Sequence, residues 1–197
     1  SEDGGETWTE VKNGIPGGDK GRMSLAISPV DPDVHYLMIE GHGTYRSTNR
    51  GASYSKRSDH ATSGNYYVEL IASKHDADAV YSMDTYAQWS EDGGATFKRL
   101  GEKNKHVDNH AMWIDPTNPD RYYLGADKGA SITHDHGQHF ILFDNLPIGQ
   151  FYRIGADWRD PYYVYGGLQD NGTYGVASFS RDARGILNDS NWNVERE

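Results

Sequence analysis

The chain contains no cysteine, which excludes disulfides and thiolate metal sites but fits a reducing or an oxidising compartment equally well. It also has no run of about 18 or more apolar residues, and its first residues lack the charged, apolar and small-residue sections of a secretory leader. The piece therefore reads as soluble, without membrane insertion. Basic residues are scarce: 19 Lys and Arg against 29 Asp and Glu give a formal net charge of -10. No Lys/Arg cluster offers a local exception, so the mean field repels phosphate backbones and nucleic acid is not an expected partner. What the chain does have is 36% hydrophobic and 12% aromatic residues over 197 positions, enough to pack a core and too apolar for disorder.

A repeat organises that core. "SEDGGETW" at 1, "STNRGASY" at 47, "SEDGGATF" at 90 and "THDHGQHF" at 133 are copies of one turn, spaced 46, 43 and 43 residues apart. A period of about 40 to 50 residues is that of one four-stranded propeller blade. A second element keeps the same beat: "AISPVDPDVHYLMI" from 26, "LIASKHDADAVYSM" from 70, "WIDPTNPDRYYLGA" from 113 and "IGADWRDPYYVYGG" from 154. Each reads as a strand, a polar turn and a second strand, with the glycine box following as a hairpin into a third. Such a small antiparallel sheet must stack on neighbours to bury its faces, which explains why the turn recurs.

Within each box the third residue (Asp3, Asn49, Asp92, Asp135) is expected to accept backbone N–H groups of its own turn. The glycines Gly5, Gly51, Gly94 and Gly137 supply a backbone conformation closed to other residues, and the final aromatics Trp8, Tyr54, Phe97 and Phe140 are expected to plug between sheets.

These boxes resemble the Asp-box, or bacterial neuraminidase repeat, of sialidases, sortilin-type receptors and xyloglucan-degrading glycosidases. The longer stretches "VDNHAMWIDPTNPDRYYLGADKGASIT", "NLPIGQFYRIGADWRDPYYVYGGLQDNG" and "RGILNDSNW" resemble large secreted bacterial and archaeal proteins of the glycosyl-hydrolase-like or sortilin-like kind. The resemblance implies an all-β propeller of four-stranded antiparallel blades and a secreted, cell-surface or periplasmic setting. It divides the chain into the end of a blade (1–20), blades at 21–60, 61–103, 104–146 and 147–180, and the start of a further blade at 181–197. About four and a half blades are then present out of about seven, so the remainder of a longer chain, or a partner chain, is expected to complete the ring.

The resemblance puts the boxes on outer hairpins, so their acids are expected to be structural. Ligands of a propeller gather at the mouth of its channel, where the innermost strands begin; the repeat places those entries at 64–70, 107–113 and 149–155. Tyr66, Tyr67, Asn109, His110, Gln150 and Tyr152 fall there, and Gln169 and Asn171 lie on a later turn. Amides, an imidazole and rings suit a sugar or a peptide, by hydrogen bonding and stacking; the same groups could also satisfy one another and simply close the hub. For a glycosidase, two carboxyl groups must flank the scissile bond, and Asp108 with Asp170 form the candidate catalytic pair, with Glu69 as the alternative. A sialidase proper does not fit: the F-R-I-P motif is missing, "FYRIG" from Phe151 being nearest, and no trio of arginines is identifiable. The sequence thus supports a recognition module for protein or glycan, a glycoside hydrolase, or a structural subunit of an assembly.

Nine histidines invite a metal reading, notably His134 with His136 and His106 with His110. Residues four apart on a strand lie about 13 Å from each other, too far to share one ion, so no transition metal or other cofactor is expected. Calcium on loop carboxylates such as Asp31 and Asp33 stays open. "DNGT" and "NDS" match the N-glycosylation pattern at Asn171 and Asn188.

Overall fold

A computed structural model of the chain describes residues 1, 3–63, 67–101, 103–146, 148–170 and 172–179, and the backbone of 192–193. All regular elements among them are strands, so there is no helix long and apolar enough to cross a membrane. Two units are distinct: Ser1–Asp144, with three sheets, and Asn145–Glu197, with one.

In the first unit, β1 (Met23–Ile27), β2 (His35–Ile39), β3 (Gly43–Ser47) and β4 (Ser55–Ser58) form one antiparallel meander. β5 (Glu69–Ala72), β6 (Val80–Met83), β7 (Gln88–Ser90) and β8 (Lys98–Arg99) form the second, and β9 (Asn109–Ile114), β10 (Tyr122–Ala126), β11 (Gly129–Thr133) and β12 (Ile141–Leu142) the third. In the second unit, β13 (Phe151–Ala156), β14 (Tyr163–Leu168), β15 (Thr173–Ala177) and β16 (Trp192–Asn193) pair in the same order.

Three details differ from the sequence reading. The glycine box joins the third strand to the fourth in the three sheets of the first unit, because a short strand such as Gly43–Ser47 fits between the second strand and the box. Gly41 and Gly43, at φ 74° and 104°, make the tight reversal that leads into it. Trp192 and Asn193 pair with Gly175 and Tyr174 as the fourth strand of the last sheet, not as the opening of another blade. Residues 1–20, expected to finish a blade, form no strand among the described residues.

The turn between the first two strands of each blade has its own chemistry. Ser28 Oγ accepts the Val30 and Asp31 N–H groups at 3.2 Å, and Asp31 Oδ1 accepts that of Asp33 at 3.0 Å. Ser73 with Asp76, and Asp115 with Asn118, repeat the arrangement. Short polar side chains thus satisfy backbone donors that the ladder cannot reach.

The core lies between stacked sheets. Alternation along β2 sends Tyr36 and Met38 to a cluster with Ala26, Leu70 and Val80, and Leu37 and Ile39 to the opposite face with Tyr45. Ile15 and Tyr54 pack over that second face. Tyr81, Met83, Leu100, Ile114, Tyr122, Leu124 and Phe140 fill the space between the second and third sheets. Each large apolar side chain buried in this way contributes about 1.5–3 kcal/mol.

Candidate functional site

The four boxes share one hydrogen-bond pattern. Asp92 Oδ1 accepts the Thr96 N–H at 2.9 Å and its Oδ2 the Thr96 hydroxyl at 2.7 Å, while Ser90 Oγ accepts the Gly94 N–H at 2.9 Å. Asp3 repeats this with Thr7 and Ser1, and Asp135 with His139 and Thr133. These bonds hold all three carboxyls well below the usual range: those to Thr7 for Asp3, to Thr96 for Asp92 and to His139 for Asp135 are the largest causes. Asn49 copies the pattern without charge, its Oδ1 accepting Ser53 N–H at 3.0 Å and its Nδ2 donating to Ser53 Oγ at 2.9 Å.

The box aromatics divide. Phe140 is buried, Phe97 stacks on His60 at 3.9 Å between ring centroids, and Tyr54 packs on the Leu37 cluster. Trp8 corrects the expectation of a plug: it is 80% exposed, and its Nε1 donates to Gly5 O of its own turn. No strand precedes β1 among the described residues to cover it.

The innermost-strand entries of the first unit do converge. The Tyr67 hydroxyl donates to Asp108 Oδ1 at 2.5 Å, and the Tyr67 ring lies 5.2 Å from that of His110. His110 Nε2 in turn sits 3.0 Å from Asp127 Oδ1. Removal from water, reinforced by the Asp108 and Asp127 carboxylates, pushes the Tyr67 phenol up to about 12. Glu69 opens β5 beside this group, and desolvation raises its carboxyl while nearby His110 opposes the rise.

Asn109 corrects another expectation. It is fully buried, and its Nδ2 donates to the carbonyls of Asp84 and Thr85 at 3.1 Å each, while its Oδ1 accepts from Lys105 at 2.9 Å. The amide therefore clamps the loop after β6 to the start of β9 and does not face a ligand. Backbone bonds from Asp108 N to Thr85 O and from Asn109 N to Asp84 O complete the clamp and leave Asp108 at φ 63°. A non-glycine residue in the left-handed region carries strain that the surroundings must hold. Asp84, which accepts from the Ser63 N–H and hydroxyl at 3.2 and 3.1 Å, steadies the same loop, and Asp127 joins the Tyr67–His110 group; the sequence reading named neither. Asp127 follows a register shift at Gly125/Ala126 that no residue pattern announces.

In the second unit Tyr152 lies exposed on β13, the Gln169 N–H bonds Gln150 O at 2.9 Å, and Asp170 occupies the turn after β14 at φ 58°. Asp108 and Asp170 belong to different units. Tyr66, Asn171 and Asn188 lie outside the described residues.

Two of the histidines singled out have local partners: His106 Nδ1 with Val107 O at 2.9 Å, and His136 Nδ1 with Asp120 at 3.5 Å. Among the described residues no three His, Asp or Glu side chains group as metal ligands. Asp33 pairs with Arg50 at 2.5 Å.

No protein-family model and no curated protein sequence matches the chain. Solved structures do. A GH74 xyloglucanase from Xanthomonas campestris superposes with a TM-score of 0.51 at 17% identity, over 78% of this chain and 29% of its own. The GH74 enzyme of Niastella koreensis gives 0.51 at 14% identity, over 79% and 28%. YCF48 bound to D1 peptide gives 0.53 at 12% identity, over 88% of this chain and 56% of its own. The chain thus spans under a third of the GH74 enzymes and about half of YCF48. At such identities the likeness shows the fold, a β-propeller of which this chain holds part.

Proposed function

We propose that the chain is an extracytoplasmic Asp-box propeller module, of the sortilin-like or glycosyl-hydrolase-like kind, that recognises a protein or glycan ligand at the rim formed by Tyr67, Glu69, Asp108, His110 and Asp127. The observation that carries this reading is the pair of contacts Tyr67–Asp108 and His110–Asp127. Each aromatic or imidazole ring is held by a carboxylate from another segment, so the rings are oriented before a ligand arrives and little ordering cost remains. A ring face edged by hydrogen-bonding groups suits a sugar or a peptide side chain alike. The structural neighbours include a xyloglucanase and a protein bound to a peptide.

The test is a glycan array and a peptide library screened with the intact chain, followed by titration of the hits. Tyr67→Ala and His110→Ala each lower affinity about tenfold, by removing a stacking face and its hydrogen bonds. Unchanged binding by both variants moves the site away from this rim.

Glu69 supports a second reading, hydrolysis. A glycosidase needs two carboxyl groups flanking the scissile bond, and Glu69, whose carboxyl desolvation raises, shares this rim with Asp108. In that case Glu69→Gln and Asp108→Asn abolish turnover of a polysaccharide and leave its binding intact. Turnover that survives both substitutions rules out this pair.

A further inference from the structure

We infer that a second site, using none of the rim residues, binds a tetrahedral oxyanion, the chemistry shared by free sulfate or phosphate and by a sulfate ester on a saccharide. It is a cavity of about 260 Å³ beside the β3–β4 box, lined by Arg46, Ser47, Thr48, Ser53, Ser55 and Arg57 among others. In a chain of net charge -10, two arginines line this cavity together with hydroxyl-bearing side chains.

The donors are in surplus. Arg57 gives its Nε and one Nη to the carbonyls of Gly93 and Asp92, at 3.0 and 2.8 Å. Both acceptors are neutral, and no carboxylate side chain pairs with Arg57 among the described residues. A guanidinium carries five N–H donors in a fixed fork, so donors remain on Arg57 that no group among the described residues accepts. Arg46 pairs with Asp78 through one Nη, while its Nε is sealed from solvent without a hydrogen-bond partner. That Nε is packed against Gly93 and out of reach from the cavity, so Arg46 contributes positive charge here and the hydrogen bonds to an anion fall to Arg57. The Thr48 hydroxyl is also without a partner among the described residues.

The carboxylates nearby are already committed. Asp78 is held by Arg46, and Asp92 points both oxygens into its own turn. The sequence adds an independent sign. Three boxes carry Asp at the third position, and the box bordering this cavity carries Asn49. Asn49 keeps the hydrogen bonds of its turn and drops the negative charge that would repel an anion.

The experiment is calorimetric titration of the intact chain with sodium sulfate, sodium phosphate and a sulfated disaccharide, against sodium chloride at matched ionic strength and the unsulfated disaccharide. The expected result is saturable binding above the chloride baseline. Arg57→Gln weakens it about tenfold, by removing charge-assisted hydrogen bonds. Asn49→Asp, which installs the residue of the other three boxes and so preserves the turn, weakens it several-fold. Equal affinity for free sulfate and the sulfated sugar marks a free-anion site; tighter binding of the sulfated sugar alone marks the ester. No saturation above the chloride baseline, or binding unaltered in both variants, overturns the inference.

Discussion

The Tyr36 hydroxyl donates to the carbonyl of Ala77 at 2.6 Å, joining the second strand of one sheet to the turn of the next. Tyr36 is fully buried, and burial pushes its phenol up to about 12. His75 Nε2 makes the corresponding link onward, lying 2.6 Å from Asp115 O. Sheet stacking is therefore apolar in the middle and pinned by directional bonds at the turns between first and second strands. Tyr36→Phe keeps the ring and orphans the Ala77 carbonyl, so it lowers stability by about 1–2 kcal/mol. Urea unfolding measures this: a lower midpoint with an unchanged slope is expected, and an unchanged midpoint shows that the bond adds nothing.

Gly137 has two reasons to be glycine. Its φ is 78°, and a Cβ there would overlap the Tyr122 hydroxyl and approach Leu100. Left-handed strain alone costs an L-residue about 1–2 kcal/mol, and the overlap adds to it in a packed interior. Gly4, also in the left-handed region, has open space around the missing Cβ. Gly137→Ala lowers the melting temperature more than Gly4→Ala does; equal losses would mean that backbone strain dominates and the packing against Tyr122 is slack.

Box spacing, glycine placement and the aromatic endings made the repeat legible, because each box satisfies its own bonds within eight residues. That Tyr67, Asp108 and His110 lie close together was legible too, since they sit where the period places the start of an inner strand. Trp8 and Asn109 went the other way. Their roles depend on what covers them, and burial is a property of neighbouring segments that a local pattern does not contain. Asp127 was missed for a related reason: its contact with His110 depends on a bulge between β9 and β10.

His60 gives the fold an acid-side sensitivity. It stacks on Phe97, its Nε2 lies 3.0 Å from Ser82 Oγ, and burial lowers its pKa below the usual 6.5. The unfolded imidazole takes up a proton as pH falls through 6.5 while the folded one resists. Stability is thus undiminished above that value and declines below it. His60→Phe flattens the change in unfolding free energy between mildly acidic and neutral pH; an unaltered slope assigns it to other groups.

Tyr67 gives the opposite limb. The phenol ionises near 10.0 in the unfolded chain and at about 12 in the folded one, through desolvation and then the bond to Asp108. The folded state therefore holds the extra proton between those values. Its contribution is complete below pH 10.0 and disappears as pH rises through about 12. Asp108→Asn removes the charge that opposes phenolate formation and can still accept the hydroxyl. In that variant one tyrosine of the spectrophotometric titration moves to lower pH, and Tyr67→Phe removes the same tyrosine from the curve. A titration unaltered by Asp108→Asn would mean that desolvation and the Asp127 carboxylate hold the proton without help from Asp108.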